Sequence, residues 1–179
     1  VRVETTAKNL FIGGNCTFSS YGFGGMVVLG NASNGQIWNM TVHSNNQSGI
    51  TLTNTAHNWL LSDILLHSTQ NGPDILFDIN TYNNTLENSM LHSGGGMRIK
   101  ANSSNNTIKN NTIYNSVSYG IEINMDDRTR YTNNNIISNS ITNCSDGIHA
   151  YNARGIQIIN NTIRDSRNDG TYCKNSTNA

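Results

Sequence analysis

Asn105-Asn-Thr-Ile-Lys-Asn-Asn-Thr-Ile113 is the stretch of sequence that decides the fold. Its pattern returns as Asn133-Asn-Asn-Ile-Ile-Ser-Asn-Ser-Ile141, and a shorter copy ends at Ile158-Ile-Asn-Asn-Thr-Ile163. Each copy carries two apolar residues five positions apart. Successive copies are about 22 to 28 residues apart, a period that is typical of solenoid proteins.

The same pair of apolar residues can be followed along most of the chain. The copies are Ile37/Val42, Leu61/Leu66, Leu86/Leu91, Ile108/Ile113, Ile136/Ile141 and Ile158/Ile163, with Phe11/Cys16 as a weaker first copy. A second landmark follows each pair, namely a Gly or Asp and then apolar-x-apolar. Its copies are Gly25-Met-Val-Val, Gly49-Ile-Thr-Leu, Asp74-Ile-Leu-Phe, Gly96-Met-Arg-Ile, Gly120-Ile-Glu-Ile, Gly147-Ile-His-Ala and the degenerate Gly170-Thr-Tyr-Cys.

These landmarks predict three short strands per repeat, each with one side facing a core, because apolar and other residues alternate within them. No window reads as a capped amphipathic helix. Stacked repeats would pair each strand with its equivalent one coil away, at about 4.8 Å, in parallel sheets. The sequence therefore predicts an all-β parallel β-helix of about seven coils, forming a single domain over residues 1–179. Leucine-rich repeats have an overlapping period, but their L-x-x-L-x-L-x-x-N pattern is absent.

Asparagine between the paired apolar residues has a predicted structural role. Asn111, Asn139 and Asn161 share one position in the coil. Asn tolerates the left-handed conformation that a sharp bend between two strands requires, and stacked amides can hydrogen-bond to one another. We therefore expect an asparagine ladder at a strand-to-strand bend.

The repeats resemble those of the right-handed parallel β-helix superfamily, which includes pectate lyases, polygalacturonases and phage tailspikes. The Asn-Asn-Thr-Ile style also resembles archaeal cell-surface β-helix proteins of the disaggregatase type. The resemblance covers essentially the whole chain and implies the fold more strongly than a function.

Composition narrows the classes of partner. The formal net charge is zero and only 12% of residues are charged, which argues against binding nucleic acid or an anionic membrane surface. No apolar run approaches the roughly 20 residues of a membrane span. Dense Asn-x-Ser/Thr sequons and the Asn-rich composition favour an extracellular or cell-surface glycoprotein. Both ends lack a recognisable cap, so we expect either flanking domains or end-to-end self-association.

The resemblance to carbohydrate-active β-helices implies a binding cleft along the outer face of one sheet. In this chain that sheet would be formed by the Gly-Ile-x-Ile strands. The outward residues can be read coil by coil. The first column is Val27, Thr51, Leu76, Arg98, Glu122, His149 and Tyr172, and the second is Leu29, Thr53, Asp78, Lys100, Asn124, Tyr151 and Lys174. Polar and aromatic residues cluster in the later coils. The longest loop follows Glu122 and adds Asp126, Asp127, Arg128 and Arg130 beside the same face.

Three interpretations of this face compete. In a polysaccharide lyase, Arg98, Lys100 or Arg128 would neutralise a uronate while His149 or Tyr151 acts as base and acid. In a glycoside hydrolase, Glu122 would pair with Asp78, Asp126 or Asp127. In the third, Arg98 and Glu122 form a structural cross-strand ion pair. Burial of Glu122, or coverage of its strand by another chain, would end this enzyme hypothesis for the face.

Other candidate sites carry less weight. Asp126-Asp127 is a weak candidate for binding Ca²⁺, and no other cofactor is expected. His57, His67 and His92 are expected to be isolated surface residues. The predicted function is action on a polysaccharide by lyase or hydrolase chemistry, with Lys100, Asn124, Tyr151, Arg128, Arg130, Asp78 and Tyr172 as substrate-binding residues. The alternative is a non-catalytic structural or adhesive surface module.

Overall fold

A computed structural model of the chain describes residues 2–3, 7–19, 25–28, 30–43, 46–67, 70–100, 102–125 and 132–176. Over these residues the regular structure consists of β-strands, and no helix is long and apolar enough to cross a membrane. The strands are β1 (Arg2–Val3), β2 (Phe11–Ser19), β3 (Met26–Val28), β4 (Gln36–His43), β5 (Ile50–Leu52), β6 (Leu60–His67), β7 (Ile75–Phe77), β8 (Thr85–Glu87), β9 (Met90–His92), β10 (Met97–Lys100), β11 (Thr107–Lys109), β12 (Thr112–Tyr114), β13 (Ile121–Asn124), β14 (Asn135–Ile137), β15 (Ser140–Thr142), β16 (Ile148–Tyr151), β17 (Gln157–Ile159), β18 (Thr162–Arg164) and β19 (Thr171–Lys174).

Two parallel sheets run along the molecule. Sheet A contains β1, β3, β5, β7, β10, β13, β16 and β19 in that order. Sheet B has two halves. In the earlier coils the long strands β2, β4 and β6 extend through both halves. In the later coils each half has its own short strands, β8, β11, β14 and β17 in the first half and β9, β12, β15 and β18 in the second. The fold is thus the predicted parallel β-solenoid, with about six turns where the repeats predicted about seven. The predicted three short strands per coil occur in the later coils, whereas two of them are joined into one longer strand in the earlier coils.

The predicted apolar pairs form the interior. Ile108, Ile136 and Ile158 align in register on adjacent strands, one coil apart. The first two are fully buried and Ile158 is partly buried in the last coil. The inward residues of sheet A, such as Ile121 and Ile123, complete the core from the other side. Burial of these side chains along the whole axis is what stabilises strands too short to stand alone.

The first copy of the pair is not Phe11/Cys16, and this part of the sequence interpretation was wrong. Phe11 is 60% exposed, whereas Ile12 aligns with Ile37 and Phe18 with Val42. The register shifts between Gly13 and Cys16, where β2 has one residue more than β4. Because side chains alternate along a strand, an inserted residue changes which ones face the core.

The asparagine ladder is present, with Asn139 at its centre. The backbone N–H and the Nδ2 of Asn139 both donate to Asn161 Oδ1 at 2.9 Å. Its Oδ1 accepts from the backbone N–H and the Nδ2 of Asn111 at 3.0 Å. The Nδ2 of Asn139 also donates to Ile108 O at 2.9 Å, and the residue is only 2% exposed. The amides therefore satisfy backbone groups that the bend removes from the sheet.

The left-handed conformation at this bend is adopted by the residue that precedes the ladder residue. The expectation that the ladder Asn itself also makes the turn was therefore wrong. Positive φ angles of 55°, 56° and 54° occur at Asn110, Ser138 and Asn160. The outer residue makes the turn and the next residue points its amide inward. A second ladder, which the sequence analysis did not identify, links Asn84, Asn106 and Asn134 at the start of sheet B, with bonds of 2.9–3.2 Å.

Gly120 shows why a small residue begins the strands of sheet A. A Cβ atom at this position would lie 2.4 Å from Ile141 Cγ2 and 2.6 Å from Gly147 O. Both distances are shorter than real contacts, and one of the two atoms belongs to the backbone. The glycine therefore lets the chain enter sheet A close against the core and the next coil.

Candidate functional site

The strand register brings the predicted outward residues of sheet A into two columns. Arg98, Glu122, His149 and Tyr172 are direct cross-strand neighbours on β10, β13, β16 and β19. Lys100, Asn124, Tyr151 and Lys174 form the second column on the same strands. Neighbouring positions in a column are about 4.8 Å apart along the axis.

Glu122 is not an accessible carboxylate. It is 7% exposed, it forms an ion pair with Arg98 Nε, and it accepts a hydrogen bond from Asn124 Nδ2 at 3.3 Å. This is the cross-strand pair of the third interpretation. The structure does not provide the exposed Glu122 that the hydrolase interpretation requires.

The remaining charges on this face are largely compensated. Lys100 Nζ lies 3.6 Å from Asp78 Oδ1 on the neighbouring coil, and both side chains are partly exposed. Lys174 Nζ lies 5.8 Å from the centre of the Tyr151 ring, within range of a cation–π contact. The described part of the face therefore carries both acidic and basic side chains rather than an excess of positive charge.

A cluster of rings occupies the later coils. The centre of the His149 ring lies 4.5 Å from that of Tyr119 and 4.8 Å from that of Tyr172. His149 Nδ1 lies 3.2 Å from Asp146 Oδ2. A hydrogen bond from Nδ1–H to this carboxylate fixes the tautomer, so that Nε2 carries the lone pair of the neutral ring.

The surroundings keep Asp146 ionised and Tyr119 protonated. Burial by itself would raise the pKa of Asp146, but hydrogen bonds from the Asp169 N–H, His149 and Asn168 outweigh it and lower that pKa. Burial, followed by the Glu122 and Asp146 charges, raises the pKa of the Tyr119 phenol. Tyr119 thus remains a hydrogen-bond donor at neutral pH, next to an imidazole that is oriented by a carboxylate.

The sequence analysis missed both Tyr119 and Asp146. Each one immediately precedes a landmark glycine, Gly120 or Gly147, so it lies where the chain enters a strand of sheet A. The signal was therefore a polar or aromatic residue at one fixed position of the repeat. The loop residues Asp126, Asp127, Arg128 and Arg130 lie outside the residues that the structure describes, so their predicted roles remain predictions.

A depression of about 250 Å³ borders the same face beside Arg98. It is formed mainly by the segments that precede three successive strands of sheet A. Its lining residues are Gln70, Asn71, Gly72, Pro73, Gly95, Arg98, Val117 and Ser118. Amide, hydroxyl and guanidinium groups converge there on a concave surface, with the exposed Val117 as its apolar part.

A second group of rings lies on the second half of sheet B. His43, His67, His92 and Tyr114 occupy one register position on successive coils, and their rings are stacked. The expectation that His57, His67 and His92 are isolated was wrong, since His57 is also stacked, on Tyr82. The signal was present in the sequence, because each ring directly follows the second apolar residue of a pair.

Comparison with known proteins agrees with this architecture. A family model described as a right-handed beta helix region matches residues 1–136. The chain belongs to the right-handed β-helix family. The β-helix matches no curated protein sequence. Among solved structures it is similar to the A-module of the mannuronan C-5 epimerase AlgE4 of Azotobacter vinelandii, with a TM-score of 0.62 and 19% identity. The match covers 96% of the β-helix and 58% of the A-module, and at this identity it shows the fold alone.

Proposed function

We propose that the outer face of sheet A from β10 to β19 binds an extended polysaccharide that carries hydroxyls and intermittent carboxylates. The ring cluster of Tyr119, His149 and Tyr172 carries this proposal, because it aligns phenol and imidazole edges along the axis. Such groups combine an apolar body with a polar tip. Two coils span about 10 Å, close to the length of a disaccharide.

The charge balance of this face indicates how many carboxylates the ligand should carry. Arg98 is paired with Glu122 and Lys100 with Asp78, so the described residues supply little uncompensated positive charge. A chain with a carboxylate on every sugar would gain less from this face than a chain with occasional carboxylates. The depression beside Arg98 provides room for one sugar or side branch next to the main groove. The structural relative is named for action on mannuronan, which makes that polymer a natural member of a test panel.

Affinity electrophoresis tests the binding proposal. The protein is run through gels containing mannuronan, polygalacturonate, mixed uronate–neutral polymers, and neutral glucans or mannans. We expect retardation by at least one polymer, and reduced retardation for His149→Ala and Tyr172→Ala. Tyr114→Ala removes a ring from sheet B and serves as the matched control. Unretarded migration in every gel, or equal retardation of all variants, would contradict the proposal.

A second candidate function is proton abstraction from a sugar carbon next to a carboxylate, with His149 as the base. The observation that favours it is the Asp146–His149 contact, which holds the imidazole as a general base requires. The sugar carboxylate would then approach Lys100, the more exposed of the two paired cations, and would share it with Asp78. The burial of Glu122 ends the enzyme hypothesis in the form expected from the sequence, and this proposal differs from it because it assigns the Glu122 carboxylate no role.

Hydrogen exchange on the sugar distinguishes binding from this chemistry. The bound polymer is incubated in deuterated water, and both deuterium at carbon and absorbance of unsaturated products are followed. If His149 is the base, Asp146→Asn should slow exchange by roughly 10²–10⁴-fold while affinity remains within a few-fold. Binding without exchange or elimination would leave only the first proposal.

A further inference from the structure

The histidine column of His43, His67 and His92 lies on the second half of sheet B, where the polysaccharide proposal assigns no role. The centres of the first two rings are 5.2 Å apart with planes at 7°, and those of the second two are 5.0 Å apart at 9°. The three residues occupy the same outward position of β4, β6 and β9. Rigid strands thus hold three imidazoles at adjacent positions, each partly exposed to solvent.

We propose that this column binds one divalent transition-metal ion through His67 and one neighbouring histidine, with Cu²⁺ bound most tightly and Ni²⁺ and Zn²⁺ less tightly. Neutral imidazole is a good ligand for all three ions, and affinity for nitrogen sites peaks at Cu²⁺. The described part of the chain contains no group of three or more His, Cys, Asp or Glu side chains that converges on one point. The proposed site therefore has two protein ligands, and water completes the coordination.

Metal binding requires the rings to leave their stacked arrangement. Two metal–nitrogen bonds of about 2.0–2.1 Å span at most roughly 4 Å, and each bond lies in the plane of its imidazole, so two neighbouring rings must turn towards each other and approach before both can bind one ion. Half-exposed side chains at the surface of a sheet can make this movement without disturbing the backbone. His92 Nδ1 lies 3.3 Å from Ser93 Oγ, a contact of the kind that orients a metal-binding imidazole through its other nitrogen.

The column geometry makes His67 indispensable and its neighbours interchangeable. His67 has a histidine on each side, whereas His43 and His92 are two coils, or about 10 Å, apart. No single ion can bridge that distance with bonds of about 2 Å. The inference thus predicts one ion per chain and an unequal response to three otherwise similar substitutions.

Isothermal titration with CuCl₂ and with ZnCl₂ at pH 7.5, on untagged protein in a non-chelating buffer, tests the inference. We expect a stoichiometry of one Cu²⁺ per chain at this site and its loss in His67→Ala. His43→Ala and His92→Ala should each weaken binding by less than tenfold, since one pair remains. His57→Ala is the matched control, because His57 is stacked on Tyr82 outside the column and should leave binding unchanged.

Electron paramagnetic resonance of the Cu²⁺ complex provides a readout independent of affinity. Nitrogen splitting from two imidazoles is expected for the wild type and for His92→Ala, and it should disappear in His67→Ala. Circular dichroism and urea midpoints verify that each variant is folded. Retained binding in folded His67→Ala, or equal losses in all three column variants, would overturn the inference.

Discussion

Asparagine makes two different contributions at the bends within sheet B, and in two of the later coils adjacent asparagines supply one each. Asn110 turns the chain with a φ angle of 55°, while Asn111 points its amide into the ladder. The sequence predicted the ladder because Asn111, Asn139 and Asn161 recur at one coil position. The sequence could not show which of two neighbouring asparagines adopts the left-handed conformation and which donates its amide to the ladder, because either residue can do both. Neither role is confined to Asn, because Ser138 occupies the turning position in one coil and Ser89 the inward position in another.

Substitution of Asn139 by Ala should lower the free energy of unfolding by about 1–3 kcal/mol, because buried hydrogen-bonding groups of both neighbouring coils lose their partner. Asn71→Ala is the matched control: it removes an exposed amide whose Nδ2 donates to Asn46 Oδ1 at 2.6 Å, at a residue without a positive φ angle. Urea unfolding curves measure both changes. Equal, near-zero effects would show that the ladder does not stabilise the fold.

Histidine protonation should make stability depend on pH. The pKa of His67 is lowered in the folded protein, chiefly by burial and then by His92 and His43, whereas the unfolded chain titrates near 6.5. The unfolded state therefore binds more protons as the pH falls through 6.5, and the free energy of unfolding should decrease there. Thermal unfolding between pH 7.5 and 5.0 should show a smaller decrease in His67→Gln than in the wild type. An identical pH dependence would contradict this assignment.

At the scale of elements, strand register was predictable and exposure was not. The spacing of the Gly-Ile-x-Ile segments placed Arg98, Glu122 and His149 on neighbouring strands, as observed. The sequence left open whether Glu122 is a catalytic carboxylate or an ion-pair partner. That choice depends on the side-chain packing that leaves Glu122 only 7% exposed, which periodicity does not encode. Tyr119 and Asp146 were missed because the sequence analysis followed the strands and not the residues that precede them.

The Arg98–Glu122 pair should contribute to stability more than to polysaccharide affinity. Glu122→Gln is expected to lower the free energy of unfolding by about 1 kcal/mol or less, since Arg98 keeps contact with solvent. A double-mutant cycle with Arg98→Met should give a coupling energy of about 0.2–1 kcal/mol. His149→Ala should show the opposite pattern, with nearly unchanged stability and reduced affinity. A large loss of affinity in Glu122→Gln at unchanged stability would restore Glu122 as a functional carboxylate.

At the scale of the whole molecule, the repeat period and the buried apolar pairs made the solenoid predictable from the sequence. The weakest part of that interpretation was the first coil, where one additional residue in β2 sets the inward pair, Ile12 and Phe18, six positions apart instead of five. The molecule distributes its chemistry over two faces. Sheet A carries a polar and aromatic surface in its later coils, and sheet B carries the histidine column in its earlier ones. Size-exclusion chromatography with electron microscopy addresses the structural-module alternative, in which isolated chains would form fibres.

Hydroxyl-radical footprinting with a polysaccharide selected by affinity electrophoresis tests the central claim most directly. Oxidation of individual side chains is measured by mass spectrometry with and without the polymer. The account predicts protection of His149, Tyr151 and Tyr172 on sheet A, and unchanged oxidation of His92 and Tyr114 on sheet B. Protection of the sheet B rings with no change on sheet A would contradict it.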